Sequence, residues 1–309
     1  MKRRGLIPDE RRVSSLSTAI AVIATLLQPV LASSGFAQWS IDPFVNNAIS
    51  SEADEQTYPT IASDGAGGAI ITWIDGRSGD DDIYAQRIDA AGVVQWTAGG
   101  VVISTAAYQQ RFPTIVSDGA GGAIITWQDL RSGTSYDIYA QRINGAGATQ
   151  WTADGVAIST AANGQYLPTI VSDGAGGAIV AWYDSRSGAS YDIYARRING
   201  AGATQWTANG VAISTAANDQ VYPTIASDGA GGAIITWQDL RSGTNWDIYA
   251  QRVNSAGAVQ WTAGGVAIST AARRCLRPRP TGNSRAPDRG RRTGTGLNRT
   301  TPIPSIRRR

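Results

Sequence analysis

A unit of about 55 residues recurs along this chain and limits its architecture more than any other feature. Its Pro-Thr-Ile start stands at Pro59, Pro113, Pro168 and Pro223, so the steps are 54, 55 and 55 residues. Repeats of this length build arrays in which each unit buries apolar surface against its neighbours. The fold can therefore be predicted from one unit.

Each unit contains four pieces with strand character. The first, Pro-Thr-Ile-Val-Ser, leads into Asp-Gly-Ala-Gly-Gly, whose glycines permit the positive φ of a tight turn. The second, Gly-Ala-Ile-Ile-Thr-Trp, is apolar at nearly every position and predicts a strand buried on both faces. Asp-Ile-Tyr-Ala-Gln-Arg-Ile and Gly-Val-Ala-Ile-Ser follow, both rich in residues that favour strands. No window shows helical spacing, so the chain is expected to be all-β.

Four short strands in a unit of this length predict a β-propeller blade. We expect four complete four-stranded blades, at about 58–104, 112–159, 167–214 and 222–269. The segment from Gln38 to Ser50 matches the fourth strand alone and predicts an N-terminal outer strand. A truncated larger propeller is the alternative. Immunoglobulin-like domains would need about 100 residues each.

The two ends differ in composition from the repeats at 38–272. Five basic residues precede an apolar run from Ala19 to Leu31. This order predicts a signal peptide at 1–37 and a secreted or cell-surface protein; a membrane anchor, which needs about 20 apolar residues, is the alternative. Residues 273–309 carry twelve arginines and predict a disordered basic tail. We interpret this tail as a frameshift product, with a basic binding arm as the alternative.

The charge and residue inventory excludes several classes of function. The repeat region contains 21 acidic residues and ten arginines, so it offers no basic surface for nucleic acid. The chain has no histidine and one cysteine, Cys275, which excludes histidine general bases and Cys/His zinc sites. We therefore predict no cofactor, no metal site, no nucleic-acid partner and no membrane span after signal cleavage.

The repeat resembles the propeller-type repeats of secreted bacterial surface proteins. The matching residues are Asp118 to Gly122, Trp127, Asp137 to Arg142 and Gly147. The turns from Asp89 to Trp96 and Asn144 to Trp151 are similar to the docking turns of quinoprotein propellers and, more loosely, to the Asp-boxes of sialidases. The resemblance covers about 38–272 and implies the propeller architecture rather than one activity.

The residues that recur without change have structural interpretations, and some have functional alternatives. The tryptophans at 73, 127, 182 and 237 and at 96, 151, 206 and 261 are predicted to pack between blades. The hairpin aspartates at 64, 118, 173 and 228 are predicted to cap their own turns, with calcium binding as the alternative. The aspartates at 82, 137, 192 and 247, which begin the third strand, are expected to pair with the arginines that end it. An Asp-x-Arg pair recurs in the loop that joins strands two and three. Its arginines are expected to form ion pairs or, alternatively, a ligand-binding ring: Arg77, Arg131, Arg186 and Arg241.

Variation between units is concentrated in the loops joining strands two to three and four to one. In a propeller these loops share one face, and binding residues usually lie on such loops. We predict Tyr136, Tyr191 and Trp246 as ligand contacts on that face. Because catalysis requires unlike groups in one place and repetition supplies like groups, we expect no enzyme. The predicted function is a noncatalytic binding or surface-display module for carbohydrate or extracellular protein. A sialidase-like glycoside hydrolase or lyase, and a fragment without independent function, are the alternatives.

Overall fold

The computed structural model describes residues 46–269. The predicted signal peptide at 1–37, most of the predicted N-terminal outer strand and the basic tail at 273–309 lie outside these residues.

Sixteen strands follow one another along the described chain and form four sheets. Blade 1 contains β1 (Gln56–Ser63), β2 (Ala69–Asp75), β3 (Asp82–Ile88) and β4 (Val101–Ser104). Blade 2 contains β5 (Gln110–Ser117), β6 (Ala123–Asp129), β7 (Asp137–Ile143) and β8 (Val156–Ser159). Blade 3 contains β9 (Gln165–Ser172), β10 (Ala178–Asp184), β11 (Asp192–Ile198) and β12 (Val211–Ser214). Blade 4 contains β13 (Gln220–Ser227), β14 (Ala233–Asp239), β15 (Asp247–Val253) and β16 (Val266–Ser269).

Each blade is an antiparallel meander whose strands pair in chain order. The first strands lie at the centre, because β5 contacts the first strands of both neighbouring blades. The Thr60 hydroxyl of blade 1 donates to the Pro113 carbonyl of blade 2 at 3.2 Å. The predicted all-β propeller with four complete four-stranded blades is therefore confirmed.

Apolar clusters between consecutive blades form the core. In blade 2, Ile138 and Ile158 face blade 3, where Trp182 fills the space between the two sheets. Trp127 and Trp237 occupy the same place against blades 1 and 3, and all three indoles are almost fully buried. The second strand of blade 2 is buried along its whole length. The two-sided buried strand is confirmed, and so is inter-blade packing for six of the eight tryptophans; Trp73 and Trp261, on the end blades, are in none of the clusters formed by the described residues.

The two end blades each have one exposed face. In the inner blades the corresponding face is buried against a neighbouring blade. Ile268 of blade 4 is 62% exposed, whereas Ile158 at the same position of blade 2 is 0% exposed. On blade 1, Ile61 is 66% exposed. Within residues 46–269, apolar clusters join blades 1 and 2, 2 and 3, and 3 and 4, with none between blades 4 and 1.

The first strand of each unit begins two residues earlier than the predicted blade starts. The residue before the proline adopts a left-handed conformation, as at Phe112 with φ 53°. The register between β5 and β6 shifts there, between Arg111 and Thr114. The strand continues across this bulge, so the proline does not begin it.

The hairpin aspartates cap their own turns as predicted. The Asp118 carboxylate accepts hydrogen bonds from the amides of Ala120 (2.8 Å) and Gly122 (2.9 Å). Its second oxygen accepts from the Arg142 guanidinium at 2.8 Å. The expected pairing of Arg142 with Asp137, at the two ends of one strand, is therefore wrong. Strand geometry explains this, because four residues of extended chain lie between Asp137 and Arg142.

Residues 46–269 contain no helix with the length and apolar character needed to cross a membrane.

Candidate functional site

The four Asp-x-Arg arginines hold their loops in place. The Arg131 guanidinium donates to both Asp129 oxygens, at 2.9 and 2.6 Å, and to the Asp154 carbonyl at 2.7 Å. It also lies over the Tyr139 ring, 3.7 Å from its centroid. The Trp127 indole donates to the same carboxylate at 2.7 Å. The ion pair and the ring contact recur at Arg77, Arg186 and Arg241. The expected ion pairs are formed; ligand binding by these arginines stays a prediction.

Loops of blades 2, 3 and 4 enclose an open cavity of about 760 Å³, which we call the tyrosine cleft. Its walls come from the strand two-to-three and four-to-one loops, the face that sequence variation indicated. Tyr136 and Tyr191, two of the three predicted aromatic contacts, line it together with Tyr166 and Asp219. The third, Trp246, is 45% exposed and is not among the described residues that line the cleft.

A network of tyrosines forms the wall of the cleft. The Tyr166 ring lies 6.0 Å from the rings of both Tyr136 and Tyr191. Tyr183 lies behind it, with its centroid 5.5 Å from Tyr166 and 5.2 Å from Tyr191. The Tyr136 hydroxyl donates to Gln109 at 3.0 Å. The rings therefore hold one another in fixed positions, as a preformed binding surface requires.

The sequence analysis missed Tyr166 and Tyr183. Both depart from the repeat: Arg111 stands at the position of Tyr166 in blade 2, and Gln128 at the position of Tyr183. Tyr166 and Tyr183 lie inside β9 and β10, whereas the predicted aromatic contacts lie in the loops that join strands two and three. Departure from the repeat is the sequence signal that could have found them.

The inner tyrosines keep their hydroxyl protons over a wide pH range. Burial, followed by the neighbouring Tyr222 and Tyr191, raises the pKa of Tyr183 to about 12. Burial also raises the pKa of Tyr166. These two tyrosines are therefore uncharged and offer hydroxyl groups together with ring faces.

Two unlike carboxyl groups lie close to Tyr191, and one of them lines the cleft. Asp219 lines the cleft, and its carboxylate accepts a hydrogen bond from the Tyr191 amide at 3.1 Å. Asp192, which directly follows Tyr191 in the chain, is 5% exposed and is not among the described residues that line the cleft. In the sheet it lies opposite Asp184. Burial, followed by the charges of Asp184 and Asp219, raises the pKa of Asp192 to about 6. Asp219 is thus accessible from the cleft, and Asp192 retains a proton in mildly acidic solution.

Asp137 provides an internal comparison for Asp192. It occupies the same position in blade 2, and burial together with the Asp129 charge raises its pKa to about 6 as well. Gly164 stands where Asp219 stands in the next unit, so Asp137 has no second carboxylate of this kind beside it. The pair of unlike carboxyl groups is therefore a departure from the repeat, found at the junction of blades 3 and 4.

Among residues 46–269, no group of three or more Asp, Glu, His or Cys side chains could hold a metal ion.

Comparison with known proteins identifies similar folds but no family. No protein-family model and no curated protein matches the chain. A Penicillium chrysogenum alpha-L-arabinanase complexed with arabinobiose is 12% identical, over 71% of this chain and 70% of that chain, with a TM-score of 0.47. An endo-arabinase from Bacteroides thetaiotaomicron is 12% identical over 73% and 85%, with a TM-score of 0.46. An alpha-L-arabinofuranosidase from Clostridium thermocellum is 13% identical over 71% and 74%, with a TM-score of 0.42.

These matches contradict the expectation of a noncatalytic binding or surface-display module. These three proteins are named as an alpha-L-arabinanase, an endo-arabinase and an alpha-L-arabinofuranosidase. Asp219 and the inner tyrosines are departures from the repeat that the sequence predictions did not single out. The likeness is one of fold, and the chemistry of the site has to come from this chain's own residues.

Proposed function

We propose that this chain is an exported carbohydrate-active protein that hydrolyses glycosidic bonds in the tyrosine cleft. The observation that carries the proposal is the pair of unlike carboxyl groups, Asp192 and Asp219, beside a wall of tyrosines. Aromatic rings present flat apolar faces on which the C–H faces of sugar rings pack. Their hydroxyl groups satisfy the sugar's polar groups along the same surface.

Glycoside hydrolysis requires two carboxyl groups in opposite protonation states. Asp192, with its raised pKa, is the general acid that donates a proton to the glycosidic oxygen as the bond to the anomeric carbon breaks. Asp219 is the carboxylate partner, which accepts a proton from the attacking water or bonds to the anomeric carbon itself. In either case, water supplies the hydroxyl of the new reducing end and the proton that restores Asp192.

The first test measures hydrolysis of arabinan, xylan and their oligosaccharides by the purified protein with an assay for reducing ends. Asp192→Asn and Asp219→Gln should each lower kcat by at least about a hundredfold, the usual effect of removing a general acid or base. Glutamine is the residue at position 109, the place of Asp219 in blade 2, so the repeat accommodates it.

Asp137→Asn is the matched control, because it removes the same buried carboxyl from blade 2, where no partner carboxylate stands. It should leave kcat unchanged. The pH profile of kcat/KM should fall as the pH rises through about 6, because Asp192 then loses its proton. Equal losses in Asp192→Asn and Asp137→Asn would overturn the assignment of the acid.

A further inference from the structure

The centre of the propeller carries an unusual backbone feature in all four units. The residue before each first-strand proline has a left-handed φ: 51° at Tyr58, 53° at Phe112, 45° at Leu167 and 54° at Tyr222. Large side chains are rare in this region, because the backbone there crowds their Cβ atoms. The same strained conformation recurs in all four units.

The left-handed conformation places three of these side chains around one cavity. Tyr58, Phe112 and Leu167, with their prolines, line a second open cavity of about 230 Å³, which we call the axial cavity. The Tyr58 and Phe112 rings meet edge to face at 5.0 Å. Tyr58 remains 58% exposed and Tyr222 55% exposed, far more than ring packing alone requires. The axial cavity is therefore an accessible apolar surface on the innermost strands.

The same tyrosine network joins the axial cavity to the tyrosine cleft. Tyr222, the fourth left-handed residue, lies 6.0 Å from Tyr183, which lies 5.5 Å from Tyr166 in the wall of the cleft. Leu167, in the axial cavity, directly follows Tyr166 in the chain. Adjacent residues of β9 thus line the two cavities, Tyr166 the tyrosine cleft and Leu167 the axial cavity.

The described residues that line the two cavities offer no free positive charge for an acidic ligand. Among the described residues lining the two cavities, Asp219 is charged and none is basic. The nearby guanidiniums are already paired: Arg131 with Asp129 at 2.6 Å and Arg186 with Asp184 at 2.6 Å. Arg111, the neighbour of Phe112, is paired with Asp81 at 2.5 Å. A sugar carboxylate would meet Asp219 without a cation to offset the repulsion.

We propose that the ligand is a linear, uncharged glycan several sugar residues long, which occupies the tyrosine cleft and the axial cavity together. This inference rests on the proposed function and extends it to the class of substrate. The cleft holds the bond to be broken, and the axial cavity binds sugars farther along the same chain.

Binding should be measured by calorimetry with the disaccharides and hexasaccharides of linear arabinan and linear xylan, and with hexagalacturonate as the acidic counterpart. Asp192→Asn serves as the background, so that turnover does not interfere. Hexasaccharide should bind at least about tenfold more tightly than disaccharide, a difference of about 1.4 kcal/mol. Phe112→Ala should remove that difference and leave disaccharide binding unchanged. Phe112→Tyr, which introduces the residue of blades 1 and 4, should preserve it.

Leu167→Asn is a second test that relieves strain instead of adding it, because asparagine tolerates the left-handed region. It should also weaken hexasaccharide binding alone. Equal affinity for short and long neutral glycans, or binding of hexagalacturonate as tight as that of the neutral chains, would overturn the inference. Length-dependent neutral binding by a protein that hydrolyses none of these glycans would leave this inference standing and remove the proposed function.

Discussion

At the scale of single residues, buried Asp137 predicts a substitution whose effect on stability depends on pH. Its pKa in the folded protein is about 6, raised by burial and by the Asp129 charge from an ordinary value of 3.8. Stability linked to this group is complete below pH 4 and is lost as the pH rises through 6, because the buried carboxyl must then ionise. Asp137→Asn should therefore raise the free energy of unfolding at pH 8 by up to about 3 kcal/mol and leave it unchanged at pH 4.

The matched variant for this experiment is Asp118→Asn, whose pKa shift has the opposite sign. Burial works to raise the pKa of Asp118, but hydrogen bonds from the Ala120 amide and Arg142 outweigh it and lower the pKa. Asp118→Asn should therefore destabilise the protein at pH 8 and have less effect as the pH falls below about 4. Urea denaturation at both pH values measures the two variants. Destabilisation by Asp137→Asn at pH 8 would contradict the burial argument.

How far sequence predicts this protein at the residue scale depends on whether an interaction is local. The turn caps of Asp118 and the Asp129–Arg131 pair lie within a few residues, and the repeat predicts them correctly. Arg142 pairs with Asp118, 24 residues away across the sheet, and that partner follows from strand register. Asp219 contacts Tyr191, the neighbour of Asp192, only because blades 3 and 4 adjoin there. The sequence states the charges of the two aspartates but not their proximity.

At the scale of the strand and its turn, glycines with one backbone conformation have two different roles. Gly155 has φ 86°, and an added Cβ would lie 2.6 Å from the Ala140 carbonyl and 2.7 Å from the Trp127 ring. Gly174 has φ 75°, with no atom within 4 Å of an added Cβ. Gly174→Ala should therefore cost about 1 kcal/mol, from backbone conformation alone. Gly155→Ala should cost about 3 kcal/mol, since it also overpacks the junction of β8 with the buried indole.

Thermal and urea unfolding of these two variants would measure the difference. A Gly155→Ala protein as stable as Gly174→Ala would show that the loop before β8 moves away from Trp127 freely.

The strands themselves were predictable, because the repeat displays the same four apolar patterns four times. The bulge before each proline was not, because the residues there are Tyr58, Phe112, Leu167 and Tyr222, whose types give no sign of a left-handed backbone.

At the scale of the whole molecule, each of blades 1 to 3 packs against the blade that follows it in the chain. No described blade follows blade 4. The Trp151 indole donates to the Gly200 carbonyl of the next unit at 3.2 Å, and its ring lies against Gly202. Trp261 occupies the same position in blade 4, where no described unit follows, and it is 37% exposed. The same side chain is therefore a contact between blades at one position and a surface residue at the other.

This difference predicts unequal costs for two identical substitutions. Trp151→Ala removes a packed ring and a hydrogen bond between blades 2 and 3, and should lower the free energy of unfolding by about 2–3 kcal/mol. Trp261→Ala removes a ring that is 37% exposed and has no following described blade to contact, so it should cost about 1 kcal/mol less than Trp151→Ala. Urea denaturation followed by circular dichroism measures both, with Trp206→Ala, whose indole donates to the Ser255 carbonyl at 3.0 Å, as a second inner position. Equal costs at 151 and 261 would show that blade 4 is covered in solution by another part of the protein, and that the array of blades does not end there.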